Sequence, residues 1–451
     1  MTYDHLMNDR FLPHNLHWQS ADYFAEHDPQ LRGLKKQVFA YAPPLIHQLP
    51  KQTPGIYTLG GGRQIGKTTL MKQWMKHLLE RAVPPDSLFF LTGEMIQDHF
   101  TLVQLIQQYL SQVTLYKVPP HNSLIYIIID EVTYIKDWDQ GVKYLADAGS
   151  LENVVMVLTG SDLTLMQEAR MRFPGRRGVA DQVDFHLHPL SFFEFINLKL
   201  NPSETPPTEV LFQEFENYLQ HGGFLTAINN QATHGHILPA TYMTYSDWIR
   251  GDMIKRGKSE AYLREFFVAL LNTYGTQVTW NSLAHHTSID HPHTIQGYAN
   301  LLESMDVLFI QSAIMEDKLL AAPKKAKKLV IKDPFIFHAI RSWAFPFDKK
   351  NIDVTPALVE SCVITHYQRH HPCFYIKAEG EVDLAYVHEN KFFPVEIKWT
   401  QQLRPKDLKQ IQKYPNALIL TKSHHSGFLG NTPTDPLPLH LYNLGKEKKY
   451  D

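Results

Sequence analysis

The chain has 451 residues, too many for one hydrophobic core, so about two to four domains are expected. Apolar residues make up 43% and charged residues 20%, the balance of a soluble globular protein, and the net charge of −2 excludes a molecule that attracts polyanions over its whole surface. Any contact with nucleic acid has to come from local patches.

Cys362 and Cys373 are too few for a disulfide framework, so a reducing, cytoplasmic setting is expected. Met1-Thr2-Tyr3-Asp4-His5-Leu6 has no apolar signal core, and no run approaches membrane-spanning length, so no membrane partner is expected. Residues 1–50, rich in His, Pro and aromatics, read as a lead-in that packs on the domain after it.

Gly55-Ile56-Tyr57-Thr58-Leu59 is β-prone, and Leu70 to Leu79 has helical period. Between them, Gly61-Gly62-Arg63-Gln64-Ile65-Gly66-Lys67-Thr68 fits G-x-x-x-x-G-K-[ST], the phosphate-cradling P-loop, and Thr69 follows. Strand, glycine loop and helix are the context this motif needs: backbone N–H groups close on phosphates at a helix N-terminus. Lys67 would reach the β- and γ-phosphates of ATP, and the Thr68 hydroxyl would hold Mg²⁺.

Ser87 to Thr92 reads as a buried strand and Phe100 to Val113 as a helix. The next strand, Leu124 to Ile129, ends in Asp130-Glu131, a Walker B pattern. Asp130 would bind Mg²⁺ through water, and Glu131 would polarise the attacking water. A fourth strand, Asn153 to Leu158, ends in Thr159-Gly160-Ser161, where a polar residue, Ser161 above all, would lie between the two motifs and sense the γ-phosphate. Alternating strands and helices predict a parallel sheet covered on both faces, with its ligand at the carboxyl ends of the strands.

Arg63 to Thr69, Ile129-Asp130-Glu131, Thr159-Gly160-Ser161 and Pro189-Leu190-Ser191-Phe192-Phe193-Glu194-Phe195 together resemble the prokaryotic AAA+ ATPases of the STAND-like group. The likeness continues in Tyr218 to Phe224; the chain departs from the group at Leu225, usually Pro, and at Gly61-Gly62-Arg63, usually G-P-R. The resemblance implies an ATPase module, a winged helix and a C-terminal nuclease-like domain. It also implies a homo-oligomer as an expected assembly, and makes Arg176 or Arg177, in Phe173-Pro174-Gly175-Arg176-Arg177-Gly178, the candidate arginine acting on the γ-phosphate. A solvated basic turn is the alternative for that pair.

From Tyr218 to Lys258 the pattern is helical. Trp280 to Ala284, a turn at Ser288 to Pro292, Thr294 to Leu302 and a strand at Val307 to Ile310 then outline a winged helix. Lys324-Lys325-Ala326-Lys327-Lys328 would be its wing, with lysines for phosphate contacts or merely a solvated loop.

Further on, Glu360 lies on a probable helix, Gly380 to Val387 is a strand carrying Asp383, and Phe392 to Trp399 is a strand carrying Glu396 and Lys398. Period-two alternation puts Glu396 and Lys398 on one face. An acid on one strand and E-x-K on the next resemble PD-(D/E)xK nucleases, and Gln410 to Tyr414 fits the Q-x-x-x-Y of their RecB-like branch. Asp383 and Glu396 would hold Mg²⁺ or Mn²⁺, with Glu360 as an outer or second ligand, and Lys398 would activate water and offset phosphate charge. The alternatives are an edge hairpin with a charged solvent face, or a nuclease fold kept only to bind DNA.

The expected fold class is α/β: a lead-in (1–50), an AAA+ P-loop core with a parallel sheet (51–215), a helical lid or linker (216–262), a winged helix (263–345) and an α/β restriction-endonuclease-like domain (346–451). The expected function is ATP binding and hydrolysis coupled to metal-dependent DNA cleavage, with DNA selected by structure rather than sequence. An ATP-driven signalling or defence switch that binds DNA or protein without cutting is the alternative.

Overall fold

The computed structural model describes residues 11–116, 124–171, 173, 175–346, 355–401, 403 and 408–447. The expectation for the N-terminal residues 1–6 lies outside them. The chain forms two compact units, Met1–Leu187 and His188–Asp451. This break falls inside the 51–215 segment expected for the ATPase core, so the helices Phe192–Leu200 and Thr208–His221 count with the second unit.

In the first unit five strands, β1 (Gly55–Gly60), β2 (Leu88–Thr92), β3 (Ile125–Asp130), β4 (Val154–Gly160) and β5 (Asp184–His186), form a wholly parallel sheet in the order β2-β3-β4-β1-β5. Helices Lys67–Glu80, His99–Tyr116, Trp138–Asp147 and Leu163–Arg170 lie between successive strands. The strand sequences are almost continuously apolar because both faces are covered. Ile56, Phe89, Leu91, Ile127, Ile129 and Met156 enter one core, and their strand neighbours Tyr57, Phe90, Tyr126, Ile128 and Val155 enter the other. β4 lies between β1 and β3, so the glycine loop and Asp130-Glu131 emerge on either side of the end of β4.

Among the described residues the sheet ends at β2, whose outer backbone groups have no strand partner. Asn15 supplies one: its Oδ1 accepts from the Phe90 N–H (2.8 Å) and its Nδ2 donates to the Phe90 carbonyl (2.9 Å). His17 Nε2 and Trp18 Nε1 both reach the Leu88 carbonyl, at 2.9 and 3.1 Å. The lead-in thus meets the hydrogen-bonding demand of an edge strand without being one.

In the second unit, Glu260–Asn272, Trp280–Ala284 and Pro292–Ser304 are helices, followed by β6 (Leu308–Ser312), the short pair β7 (Ile314–Met315) and β8 (Leu320–Ala321), and β9 (Lys327–Ile331), antiparallel to β6. Helices Pro334–Ala344 and Thr355–Gln368 precede β10 (Cys373–Lys377), β11 (Glu381–His388), β12 (Lys391–Lys398), β13 (Leu418–Thr421), β14 (Gly427–Leu429) and β15 (Thr432–Pro436). These six form a mixed sheet, β10-β11-β12-β13-β15-β14, antiparallel through β12 and parallel from β12 to β15. The lysine run expected as a wing is not one exposed patch. Lys327 and Lys328 belong to β9, and Lys328 is buried at 2% exposure.

Among the described residues, His17, His221 and His366 are buried and held neutral. Burial holds His17 near 3, His221 near 4 and His366 near 3, all far below the ordinary value of about 6.5. His366 Nε2 accepts from the Phe192 N–H at 2.9 Å, while Nδ1 lies 2.7 Å from the Cys362 carbonyl, so a second ring proton would break the first bond. Folded values below the unfolded one stabilise above about pH 6.5 and lose that contribution as pH falls, by about 1 kcal/mol per ring at pH 5.5. Between pH 7.5 and pH 5.5 the midpoint of thermal unfolding of His366→Gln is therefore expected to fall less, or rise more, than that of the wild type. A change of midpoint over that interval equal in the two proteins would contradict it.

Candidate functional site

The turn out of β1 is possible only with glycines. Gly61 has φ +150°, and a Cβ there would stand 2.6 Å from the Leu187 carbonyl oxygen. Gly66, at φ +100°, starts the helix Lys67–Glu80. With Gln64 at φ +59°, the loop is bent into a concave run of backbone ahead of a helix N-terminus, which favours an anion. Lys67 is buried in this bend. Its Nζ donates to the carbonyls of Gly61 (3.0 Å) and Gly62 (2.9 Å) and lies 3.3 Å from Glu131 Oε1. The ammonium is thus held at the loop, where it is available to exchange carbonyls for phosphate oxygens. Ile65 packs against the core, Arg63 contacts the Tyr134 hydroxyl, and Thr69 donates to Gln30 of the lead-in (3.2 Å). Thr69 therefore faces the lead-in rather than the loop.

The Thr68 hydroxyl donates to Asp130 Oδ2 at 2.6 Å, which brings the two residues expected to share Mg²⁺ into contact. Thr159, fully buried at the end of β4, donates to Asp130 Oδ1 at 2.6 Å and accepts from the Glu131 N–H at 3.0 Å. Ser161 donates to Glu131 Oε2 at 3.0 Å. Burial pushes the Asp130 carboxyl up and Glu131 adds to this, against the Thr159 and Thr68 hydroxyls and Lys67. A buried carboxylate under that pressure is a good cation ligand. Sequence reasoning chose Ser161 for this strand end; Thr159, two residues earlier, is the one that joins Asp130 to Glu131.

Arg176 and Arg177 lie elsewhere. Arg177 is bound to Asp184, the Val183 carbonyl and the Ile56 carbonyl, at the amino ends of β1 and β5. Arg176 pairs with Asp147 at the last residue of the helix Trp138–Asp147. The glycine loop leaves from the opposite end of β1, about 13 Å along the strand from Ile56 to Gly60. In this chain neither arginine is held beside the glycine loop.

The second unit brings four more expected residues together. Asp383 on β11 and Glu396 on β12 are both buried, and Lys398 Nζ lies 2.6 Å from Glu396 Oε1 and 3.9 Å from Asp383 Oδ2. Asp383 Oδ2 also accepts from the Ile397 N–H at 2.9 Å. Glu360, Asp383 and Lys398 line one cleft of about 400 Å³ with Tyr274, Trp399 and Thr400. Glu396 Oε2 is buried and has no hydrogen-bond partner among the described residues. Burial first and Asp383 second push both Glu396 and Glu360 well above the usual carboxylate range, so this cluster favours taking up positive charge. An orphaned carboxylate oxygen beside an all-oxygen donor set fits a hard divalent cation such as Mg²⁺ or Mn²⁺.

Two members were not foreseen. Lys328, assigned to a wing, has its Nζ 2.7 Å from Glu360 Oε1 and 3.5 Å from Asp383 Oδ1, and pairs also with Glu381. Glu360, expected as a metal ligand, is thus partnered by an ammonium. Burial would lower Lys328, but Glu360, Asp383 and Glu381 outweigh it and hold the ammonium charged. Gln410 accepts from the Gly380 N–H (3.2 Å) and donates to the Tyr414 hydroxyl (3.1 Å), which donates to Glu316 (3.0 Å). The Q-x-x-x-Y pair braces the turn into β11.

Residues 53–196 match the family model described as an AAA domain, and residues 212–346 match one described as a domain of unknown function, DUF8612. The first unit carries a P-loop ATPase domain of the AAA type. An uncharacterized protein of Haemophilus influenzae is 25% identical over 268 residues, 56% of this chain and 61% of that protein. Uncharacterized protein MJ1637 of Methanocaldococcus jannaschii is 26% identical over 156 residues, 35% of this chain and 30% of that protein. The chain therefore spans less than two thirds of the length of either curated relative. Among solved structures, the Walker-type ATPase PABY2304 of Pyrococcus abyssi is similar at TM-score 0.40 and 15% identity, over 71% of this chain and 97% of that one. Among the described residues, no helix is long and apolar enough to cross a membrane.

Proposed function

We propose that the chain is an ATP-hydrolysing AAA+ protein whose second unit, with a winged helix and a restriction-endonuclease-like sheet, cleaves DNA phosphodiesters with a divalent metal under control of the ATPase. For ATP hydrolysis, the loop amides and Lys67 hold the phosphates, and Glu131, tethered by Thr159 and Ser161, orients the attacking water. Thr68 and Asp130 would hold Mg²⁺, which would supply neutralisation of the phosphate charge. On this reading an arginine reaching the γ-phosphate comes from a neighbouring copy, with Arg176 as its candidate, which makes a homo-oligomer part of it.

The observation that carries the nuclease reading is the convergence of Asp383, Glu396 and Lys398 on adjacent strands, with one Glu396 oxygen buried and unpaired. Asp383 and Glu396 would hold Mg²⁺ or Mn²⁺, which lowers the pKa of a bound water and neutralises the phosphate. Lys398 stands beside both acids, where an ammonium helps position water and offsets charge on the phosphodiester. The alternative, an ATP-driven switch that binds DNA or protein without cutting, is favoured by the Glu360–Lys328 pair, which takes one acid out of the donor set.

ATPase and cleavage measured together on single-stranded, duplex and branched DNA, with Mg²⁺ or Mn²⁺, test the reading. Cleavage of at least one of these, dependent on metal and altered by ATP, is expected. ATP turnover with no cleavage of any substrate would leave the switch.

A further inference from the structure

We propose that Lys328 is a built-in cation of the carboxylate cluster, standing where a second divalent ion would otherwise bind, so that the cluster takes one metal ion rather than two. This rests on the metal-site reading above and adds its stoichiometry.

The geometry around Asp383 carries it. Metal pairs in phosphodiester-cleaving sites lie about 3.5–4 Å apart, and a carboxylate placed between them can offer one oxygen to each. Asp383 is divided in that way. Its Oδ2 faces Lys398 and the Ile397 N–H, on the side of Glu396, while its Oδ1 faces Lys328 at 3.5 Å, on the side of Glu360 and Glu381. The Glu396 side keeps an oxygen without a partner. The Glu360 side is already served by an ammonium, with Glu360 Oε1 at 2.7 Å and Glu381 in contact.

Charge count gives the same answer. Glu360, Glu381, Asp383 and Glu396 in ionised form, against the ammoniums of Lys328 and Lys398, leave two net negative charges, which one divalent ion neutralises. Without Lys328 three would remain. A lysine at 2% exposure is tolerated only where anions surround it, and Lys328 is tied to three carboxylates from two elements, the helix Thr355–Gln368 and β11. Its own strand, β9, pairs with β6 through Gln311, whose Nε2 donates to the Asp383 carbonyl at 3.0 Å. Lys328 and the backbone of Asp383 are therefore held by one framework.

The test is Mn²⁺ titration of the full chain without nucleotide, by calorimetry and electron paramagnetic resonance, counting only ions that Asp383→Asn abolishes. The wild type is expected to bind one such ion, Lys328→Arg one, and Lys328→Met two. Lys328→Gln, whose amide can still meet Glu360, is the second neutral variant should the methionine disturb folding, and thermal unfolding and ATPase rate report on the fold. A folded Lys328→Met or Lys328→Gln protein that binds one ion with unchanged affinity overturns the assignment, as does a wild type that binds two. If the wild type binds none and the neutral variants bind one, the metal-dependent nuclease reading fails while the role of Lys328 stands. If none of the four binds Mn²⁺ through Asp383, both fail.

Discussion

Lys67→Met is expected to reduce ATP turnover by roughly a hundredfold or more, the size of effect seen when a preorganised cation or donor is removed from a developing charge. The side chain is buried in the loop bend and holds two loop carbonyls, so its loss removes the charge and loosens the bend together. Glu131→Gln is expected to lose turnover to a similar degree by another route. Its amide can still accept from Ser161, but it no longer offers a carboxylate to polarise water. The two separate in binding: Glu131→Gln retains ATP in equilibrium titration, and Lys67→Met binds it weakly. Thr159→Val tests the residue that joins Asp130 to Glu131. It strips Asp130 Oδ1 and the Glu131 N–H of their shared partner while conserving side-chain shape, and turnover should fall about tenfold or more, with a further loss in Mg²⁺ affinity. Equal turnover in all three variants and the wild type would remove the site from this loop.

Lys398→Met is expected to abolish metal-dependent DNA cleavage, by about a hundredfold or more, and to leave the basal ATPase rate unchanged. Lys398 is 31% exposed at the side chain, so its replacement leaves less uncompensated charge behind than replacement of a fully buried partner. Methionine keeps much of the apolar stem, so the loss is one of charge rather than volume. Glu396→Gln should act through the metal: weaker Mn²⁺ binding, and cleavage partly restored by raising the Mn²⁺ concentration. Lys398→Met cannot be rescued in this way. If Lys398→Met cleaves at the wild-type rate, water activation at this cleft is not the chemistry. If ATPase falls in step with cleavage, the residue acts on folding.

The phosphate loop, Asp130 and Glu131 were legible because their chemistry is local: a turn that only glycine permits, and acids at the carboxyl ends of buried strands. The E-x-K strand was legible for the same reason, since period two places Glu396 beside Lys398 whatever surrounds them. Lys328 was misread because a run of four lysines in five residues looks alike whether its last member faces solvent or a carboxylate from 32 residues further along the chain. Strand parity decides that, and the parity of β9 depends on β6. The places of Arg176 and Arg177 were illegible for another reason. Their residue type suits a γ-phosphate, but the partners that hold them, Asp147 for Arg176 and Asp184 with the Ile56 carbonyl for Arg177, do not show in composition. Glu381 passed unnoticed because it stands two residues before Asp383, and only the third dimension gives both acids the same cation.

The lead-in over β2 limits how copies of this protein can join. Asn15 takes both hydrogen-bonding groups of Phe90, and His17 and Trp18 take the Leu88 carbonyl, so a strand from another molecule finds that rim of the sheet already spoken for. Assembly by extending the sheet at β2 would first have to peel this segment away. Any contact between copies would be left to side-chain surfaces. A fragment cut at residue 53, where the AAA match begins, would keep the loop and the two acids yet bare a strand rim, and so be prone to stick to itself.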